Sequence, residues 1–184
     1  MKEGNKVNIR VFQREDIEKY AKLTFGICEA EKNFIGMLKK ISGIYQQFEK
    51  DGFLSKSEGK LLIVSKEDEV LGYCSFFKGS PYVNGYEIGY RIFKEGHRGC
   101  GYGTEAVLLL IRFLFEYQPI LRLQICMSEE NVYSERVAIK AGFTYEGTMR
   151  SVFKIKGNPV NNKMYSITRA EWVEKVSLEP FVKT

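Results

Sequence analysis

The sequence has few cysteines, and none of them is arranged for a metal site or a disulfide framework. The four cysteines are widely separated in a chain of 184 residues and form no C-x-x-C pair: Cys28, Cys74, Cys100 and Cys126. Zinc sites and disulfide scaffolds need closely or regularly spaced cysteines. The spacing therefore predicts free thiols and no metal site.

Long apolar runs are also missing. No stretch approaches the roughly 18 consecutive apolar residues that a membrane-spanning helix needs. The N-terminal segment MKEGNKVNIRVF contains no apolar core of the length found in signal peptides. We therefore predict a cytoplasmic protein without a membrane partner.

The charges form no block of one sign. The 28 basic and 23 acidic residues give a net charge of +5, but they are interspersed, and no run of five or more lysines and arginines occurs. Nucleic-acid-binding chains usually concentrate basic residues on one stretch or face. The pattern predicts an evenly charged surface and no nucleic-acid partner.

The chain also lacks a linker or an internal repeat that would divide it. Its hydrophobic content of 44% is sufficient for one good core in a chain of this length. We therefore expect a single domain covering residues 1–184. The sequence does not distinguish a monomer from a homodimer.

The most informative segment runs from residue 86 to residue 115. Ile88, Tyr90 and Ile92 alternate with polar or small residues, which is the period of a strand with one buried face. After a glycine-rich stretch, the sequence TEAVLLLIRFLF from Thr104 to Phe115 is apolar around most of a helical circumference. It predicts a core helix whose N-terminus faces the glycines.

Between the strand and the helix, glycines occupy every second position at 99, 101 and 103. Glycine adopts positive backbone dihedrals at little cost and places no side chain in the path of a ligand. The free amides and the positive dipole of the helix N-terminus favour bound anions, and Arg98 adds a planar, permanently charged group. These residues predict a binding loop for a pyrophosphate.

Two other phosphate-binding motifs fit this loop less well. Gly101-x-Gly103-x-x-Ala106 satisfies the short dinucleotide fingerprint, with Glu129 as a candidate ribose ligand. A doubly wound sheet, however, needs several further strand and helix units, and only about a third of the chain follows Glu129. A Walker loop is excluded because no lysine stands at the required position.

The spacing of apolar residues also predicts the remaining elements. Strands are expected at 7–12, 61–66, 70–77, 121–127, 144–155 and 163–168, and helices at 14–23, 34–48, 104–115 and 132–140. The last two strands are expected to form a hairpin across Gly157-Asn158-Pro159.

Five separate segments match one family in order and spacing. They are Glu87-Ile88-Gly89-Tyr90, Arg98-x-x-Gly101-x-Gly103, Thr104-Glu105-Ala106, Asn131-x-x-Ser134 followed by Lys140-Ala141-Gly142-Phe143 and Glu146-Gly147, and Tyr165-Ser166 with Arg169-x-Glu171-Trp172. Together they resemble the GNAT acyltransferases, most closely the branch that includes the Rim-type ribosomal-protein N-terminal acetyltransferases. The likeness covers the chain from about Val7 to Trp172.

The resemblance implies an α+β (mixed α/β) fold with a central, mostly antiparallel, twisted sheet of about seven strands and about four flanking helices. It also implies transfer of an acetyl group from acetyl coenzyme A to a primary amine by direct attack. The coenzyme A site would contain Ile92, Phe93, Arg98, Gly99, Cys100, Gly101, Tyr102, Gly103, Thr104 and Asn131.

The same resemblance suggests Glu87 as the base and Ser134 as the acid that protonates the departing thiolate. Each has a structural alternative. Glu87 would be a solvated glutamate paired with a neighbour, Ser134 would bond only the backbone, and Asn131 would only cap a helix. The chain departs from the family at three positions, with Ala138 in place of a tyrosine acid, Phe153 in place of a hairpin carboxylate and Asn161 in place of an aspartate.

Several functions remain open from the sequence. The acceptor amine would belong to a protein N-terminus or to a small molecule. A coenzyme A sensor without turnover, and a dinucleotide-dependent oxidoreductase, are the alternatives. A covalent acyl-cysteine on Cys100 beside His97 is not expected, because a glycine loop offers no third group to orient the pair.

Overall fold

The computed structural model describes residues 1–25, 41–155 and 157–178. Within these residues the chain forms eight strands and five α-helices. They are β1 (Lys2–Glu3), β2 (Asn8–Arg10), α1 (Asp16–Phe25), α2 (Ile41–Asp51), β3 (Glu58–Val64), β4 (Val70–Phe77), β5 (Gly85–Ile92), α3 (Tyr102–Tyr117), β6 (Arg122–Ser128), α4 (Val132–Lys140), β7 (Thr144–Ile155), β8 (Asn158–Thr168) and α5 (Arg169–Leu178).

The strands form one sheet in the order β1-β2-β3-β4-β5-β6-β8-β7. Every neighbouring pair is antiparallel except β5 and β6, which are parallel. A parallel pair needs a crossover connection, and α3 is that connection. The predicted mixed fold with a mostly antiparallel sheet is confirmed.

The core has one apolar layer on each face of the sheet. Neighbouring residues of β3 belong to different layers, with Leu61 in the layer that contains α3 and Leu62 in the layer that contains α1 and α2. This division follows from the alternation of side chains along a strand. The α3 layer is the larger, and it also contains Ala138 from the second half of α4 and packs against Trp172 near the start of α5.

Removing a side chain from α3 should test how much this layer stabilises the fold. Leu110 is 0% exposed, whereas Leu108 on the same helix is 45% exposed. Leu110→Ala should lower the free energy of unfolding by about 2 to 5 kcal/mol, because it removes buried methyl groups and leaves a cavity. Leu108→Ala is the matched control and should change it by less than about 1 kcal/mol. Urea denaturation of both variants would measure the difference, and equal losses would contradict the assigned layer.

Several predicted bounds are confirmed, including strands 70–77 and 144–155 and helix 132–140. The predicted helix at 34–48 is described only from Ile41 onward, and residues 34–40 lie outside the described part of the chain. The structure adds β1, which is too short to leave a periodic pattern, and α5. A capping box begins α5, because Thr168 Oγ1 accepts the N–H of Glu171 at 3.2 Å and Glu171 accepts the N–H of Thr168 at 2.7 Å.

The predicted turn of the last hairpin is corrected. Gly157 has φ of 86° and lies in the connection, but Asn158 and Pro159 already belong to β8, where they pair with Ile155 and Lys154. Proline cannot donate to a strand ladder. It is tolerated here because the pairing of β8 with β6 involves only residues from Asn162 onward.

Candidate functional site

The glycine loop has the backbone that its sequence predicts. Gly99 and Gly101 have φ values of 78° and 88°, in the region that favours glycine. Gly101 is the N-cap of α3, and no side chain caps the helix there. The first amides of an α-helix have no intrahelical acceptor, so those of Tyr102, Gly103 and Thr104 are available to a ligand. The loop therefore has the geometry of an anion site.

Arg98 lies between this loop and the end of β5. Its Nη2 atom donates to the carbonyl of Ile92 at 3.5 Å. Cys100 is exposed, and its sulfur contacts the carbonyls of Gly96 and Arg98 at 3.9 and 3.7 Å. The ring of His97 packs edge-on against Tyr102, with 6.2 Å between centroids. Cys100 and His97 contact different neighbours in these interactions.

Strands β5 and β6 separate beside the loop. Their parallel pairing covers only three residue pairs, from Gly85 with Arg122 to Glu87 with Gln124. Beyond that point β5 remains paired with β4 up to Ile92, and its other edge has no partner strand among the described residues. We call the gap between residues 88–92 of β5 and 125–128 of β6 the wedge.

Three backbone amides of β5 face the wedge. The N–H of Phe93 donates to the carbonyl of Leu71 at 2.9 Å, on the β4 side. Amides alternate between the two edges of a strand. Those of Ile88, Tyr90 and Ile92 therefore point into the wedge. The amide of Ile92, a predicted site residue, is among the three, whereas Phe93 is 5% exposed and packs in the α1 and α2 layer.

The two residues predicted at the start of α4 lie on the α3 side of the wedge. Asn131 Oδ1 accepts the N–H of Ser134 at 3.1 Å, so Asn131 does cap the helix. The Ser134 side chain lies close enough to the hydroxyl of Tyr90 to offset part of the rise in pKa that burial causes there. Ser134 is thus not committed to the backbone alone.

Tyr90 is a site residue that the sequence analysis treated only as part of a strand. Burial raises the pKa of its hydroxyl, and the neighbouring Ser134 side chain partly offsets that shift. Its ring packs against Gly103, where an added Cβ would lie 2.8 Å from Cε2. Tyr90 therefore connects the glycine loop to the start of α4. The absent Cβ at Gly103 was the only sequence signal for this contact.

Glu87 lies at the point where β5 and β6 part, on the opposite face of the sheet from Tyr90. Its Oε2 atom accepts a hydrogen bond from Gln124 Nε2 at 3.1 Å. Burial raises the pKa of the neighbouring Cys126 thiol to about 12, and the charge and hydrogen bond of Glu87 add to this shift. Glu87 is half-buried, and the two groups that it contacts here, the Gln124 amide and the Cys126 thiol, are neutral.

The three departures from the expected family pattern are structural in this chain. Ala138 is fully buried, and Phe153 pairs with Val160 in the hairpin. Asn161 accepts the N–H of Ser151 at 2.9 Å and donates to Glu129 at 3.0 Å. Glu129 is thus bonded to the hairpin, and the sheet contains one parallel pair among the described strands, so it is not the doubly wound sheet of a dinucleotide-binding domain.

The described part of the chain lacks two kinds of feature. No group of three or more histidine, cysteine and acidic side chains that could hold a metal ion occurs there. No helix there is long and apolar enough to cross a membrane. Cys74, Cys100 and Cys126 are free thiols, and Cys28 lies outside the described residues.

Comparison with known families supports the interpretation of these features. The family model for the GNAT acetyltransferase domain matches residues 6–144. The chain belongs to the GNAT acetyltransferase family. The matched region contains the glycine loop, the wedge and the start of α4, so the geometry described above is that of a GNAT domain.

Two curated relatives of this GNAT protein are acetyltransferases by name. An uncharacterized N-acetyltransferase p20 of Bacillus licheniformis is 32% identical over 111 residues, which are 60% of this chain and 62% of that protein. The ribosomal-protein-serine acetyltransferase of Escherichia coli K12 is 33% identical over 91 residues, which are 50% of each chain. The matched stretch thus spans less than two thirds of either relative.

Solved structures agree with the fold over most of the chain. A RimL ribosomal-protein alpha-N-acetyltransferase in complex with coenzyme A has a TM-score of 0.78 and 18% identity, covering 91% of this chain and 97% of that one. A spermidine N-acetyltransferase of Vibrio cholerae in complex with coenzyme A and spermine has a TM-score of 0.77 and 15% identity, covering 91% and 98%. At these identities the likeness shows a shared GNAT fold.

Proposed function

We propose that this GNAT protein is an N-acetyltransferase that transfers the acetyl group of acetyl coenzyme A to a primary amine. The observation that carries the proposal is the position of the glycine loop, at the N-terminus of α3 and beside the wedge between β5 and β6. An anion site next to an unpaired strand edge fits a ligand with a pyrophosphate and an extended, amide-containing arm.

The residues at the loop fit the pyrophosphate. Gly99 and Gly101 have positive φ values, the first amides of α3 have no capping side chain, and Arg98 supplies a permanent charge. Cys100, Tyr102, Gly103 and Thr104 would contribute backbone contacts. Asn131, which follows the end of β6 across the wedge from the loop, would bond the amides of the extended arm as well as cap α4.

The wedge can supply the oxyanion donor. The amides of Ile88, Tyr90 and Ile92 point toward the place where the thioester would lie. A fixed backbone N–H stabilises the negative charge that develops on the carbonyl oxygen as the amine attacks. The donor would be one of these three amides, and they include that of Ile92, which the sequence predicts in the coenzyme A site.

Glu87 and Ser134 approach the wedge from opposite faces of the sheet, which suits a base and an acid. Glu87 would remove a proton from the attacking amine, since most amines are protonated at neutral pH. Ser134 would donate its proton to the coenzyme A thiolate as the carbon–sulfur bond breaks, and Tyr90 would return a proton to Ser134. Solvent would then take the proton from Glu87 and return one to Tyr90. The products are the acetylated amine and coenzyme A.

The acceptor is proposed only as a class, namely a primary amine of a protein N-terminus or of a small molecule. Similar proteins act on both, because one relative is a ribosomal-protein acetyltransferase and one structural neighbour is a spermidine acetyltransferase. In this chain the sheet face that carries Glu87 also carries Gln124 and Ser166 beside it, and their polar side chains fit a hydrated amine.

Ligand-dependent melting tests the proposal first. Acetyl coenzyme A and coenzyme A should raise the melting temperature, and NAD should not. A ligand at about 100 times its dissociation constant stabilises the fold by about 2.7 kcal/mol, a shift of roughly 5 to 10 °C for a domain of this size. Stabilisation by NAD alone, or by none of the three, would overturn the coenzyme A site.

Release of the coenzyme A thiol with a panel of peptide and small-molecule amines then tests turnover. Glu87→Gln keeps the size of the side chain and removes its ability to accept a proton at neutral pH. It should lower kcat about 10- to 1,000-fold and leave the dissociation constant of acetyl coenzyme A nearly unchanged. An unchanged rate would exclude Glu87 as the base, and binding without release for every amine would favour a sensor.

A further inference from the structure

The segment between β1 and β2 is tied to the first turn of α3. The carboxylate of Glu105 accepts three consecutive backbone N–H groups, from Asn5 at 2.7 Å and from Lys6 and Val7 at 2.8 Å each. A carboxylate that accepts several amides holds a segment firmly, and its position near a helix N-terminus is favourable as well. The N-terminal segment therefore has a fixed place beside the glycine loop.

Two further hydrogen bonds hold the segment between β1 and β2 in place. Lys66 Nζ donates to the carbonyl of Gly4 at 2.6 Å and to Asn8 Oδ1 at 3.0 Å. Gly4 lies so close to Glu105 that an added Cβ would be 2.8 Å from the carboxyl carbon. The segment between β1 and β2 is thus bonded to Glu105 on one side and to Lys66 on the other. These bonds constrain the direction of the Lys6 side chain.

The side chain of Lys6 extends to the glycine loop. Its Nζ atom donates to the carbonyl of Cys100 at 3.0 Å and would lie 3.3 Å from a Cβ added to Gly101. Lys6 is exposed, and within residues 1–25, 41–155 and 157–178 its ammonium forms no ion pair with a carboxylate. A positive charge without an ion-pair partner in the described part of the chain therefore stands beside the amides of the glycine loop.

We propose that Lys6 is a phosphate ligand of the coenzyme A site, positioned by Glu105. The inference rests on the proposed function, because the phosphates are those of the cosubstrate. A pyrophosphate carries two negative charges, and Arg98 with the helix dipole supplies only about one and a half positive ones. A second cation from the N-terminal segment completes the neutralisation, and an ammonium suits this role because it contacts phosphate as a point charge.

A purely structural role of Lys6 would have a different signature. If its only task were to hold the Cys100 carbonyl, its replacement would disturb the loop without changing how salt affects binding. A phosphate contact, in contrast, is weakened by salt, because cations of the solution compete for the phosphate. The salt dependence of affinity therefore separates the two roles.

Calorimetric titration of coenzyme A at several salt concentrations tests the proposal. Lys6→Met should raise the dissociation constant about 10-fold at low salt, and less as the salt concentration increases. Lys6→Arg should restore much of the affinity. Lys2→Met is the matched control, because it removes a lysine charge from the same N-terminal stretch but Lys2 bonds Glu116 at the other end of α3, and its salt dependence should equal that of the wild type.

The outcomes distinguish this inference from the proposed function. A wild type that does not bind coenzyme A overturns the proposed site, and this inference falls with it. A wild type that binds, with Lys6→Met equal in affinity, overturns only the role of Lys6. A loss of affinity that is the same at every salt concentration and is not restored by arginine assigns Lys6 to loop structure and also overturns the inference.

Discussion

Gly101→Val should abolish the binding of coenzyme A while leaving the domain folded. Gly101 has φ of 88°, and a β-branched residue in this region costs on the order of 1 to 3 kcal/mol. Its Cβ would also approach the Lys6 ammonium to 3.3 Å, at the position where the phosphates are proposed to bind. We expect a loss of affinity of at least about 100-fold in calorimetry, since strain and steric exclusion act together.

The same substitution at Gly96 is the matched control. Gly96 lies in the turn before the loop, an added Cβ there has no atom within 4 Å, and its φ is not positive. Gly96→Val should bind coenzyme A within about twofold of the wild type. Melting curves of both variants must show a folded domain. Full affinity of Gly101→Val would show that the ligand does not use this loop.

The glycine loop could be predicted because its signals are local. Three alternating glycines, a preceding strand and a following apolar helix specify a backbone without reference to distant residues. The same is true of α4, whose N-cap Asn131 and C-terminal Gly142 stand at its ends in the sequence. The capping box that begins α5 is equally local, and a search for the T-x-x-E pattern at Thr168 would have found that helix.

Other features depend on packing between distant parts of the chain. The contact of Tyr90 with Ser134 joins β5 to α4, and the anchoring of the Lys6 segment by Glu105 joins the first loop to α3. Neither has a sequence spacing that could reveal it. The start of β8 was missed for a related reason. A proline usually indicates a turn, and the sequence does not reveal that the pairing of β8 with β6 begins only at Asn162, beyond Pro159.

Replacing Ser134 and Tyr90 should lower turnover without weakening the binding of acetyl coenzyme A. Ser134→Ala removes the proposed proton donor, and Tyr90→Phe removes only the neighbouring hydroxyl while keeping the ring against Gly103. Each should lower kcat about 10- to 100-fold. Because the two hydroxyls act as one relay, the double variant should lose little more than Ser134→Ala alone. Steady-state rates and calorimetry on the four proteins form the test.

Tyr86→Phe separates a role in the relay from a general effect of losing a tyrosine hydroxyl. Tyr86 is buried on the same strand, but its hydroxyl donates to the carbonyl of Lys56 at 3.0 Å, away from the wedge. Its loss should lower stability and leave kcat unchanged. If Tyr90→Phe instead raises the dissociation constant of acetyl coenzyme A at constant kcat, its hydroxyl supports the glycine loop. Losses of kcat that multiply in the double variant would mean that Ser134 and Tyr90 act independently, so that the proton reaches the thiolate by another route.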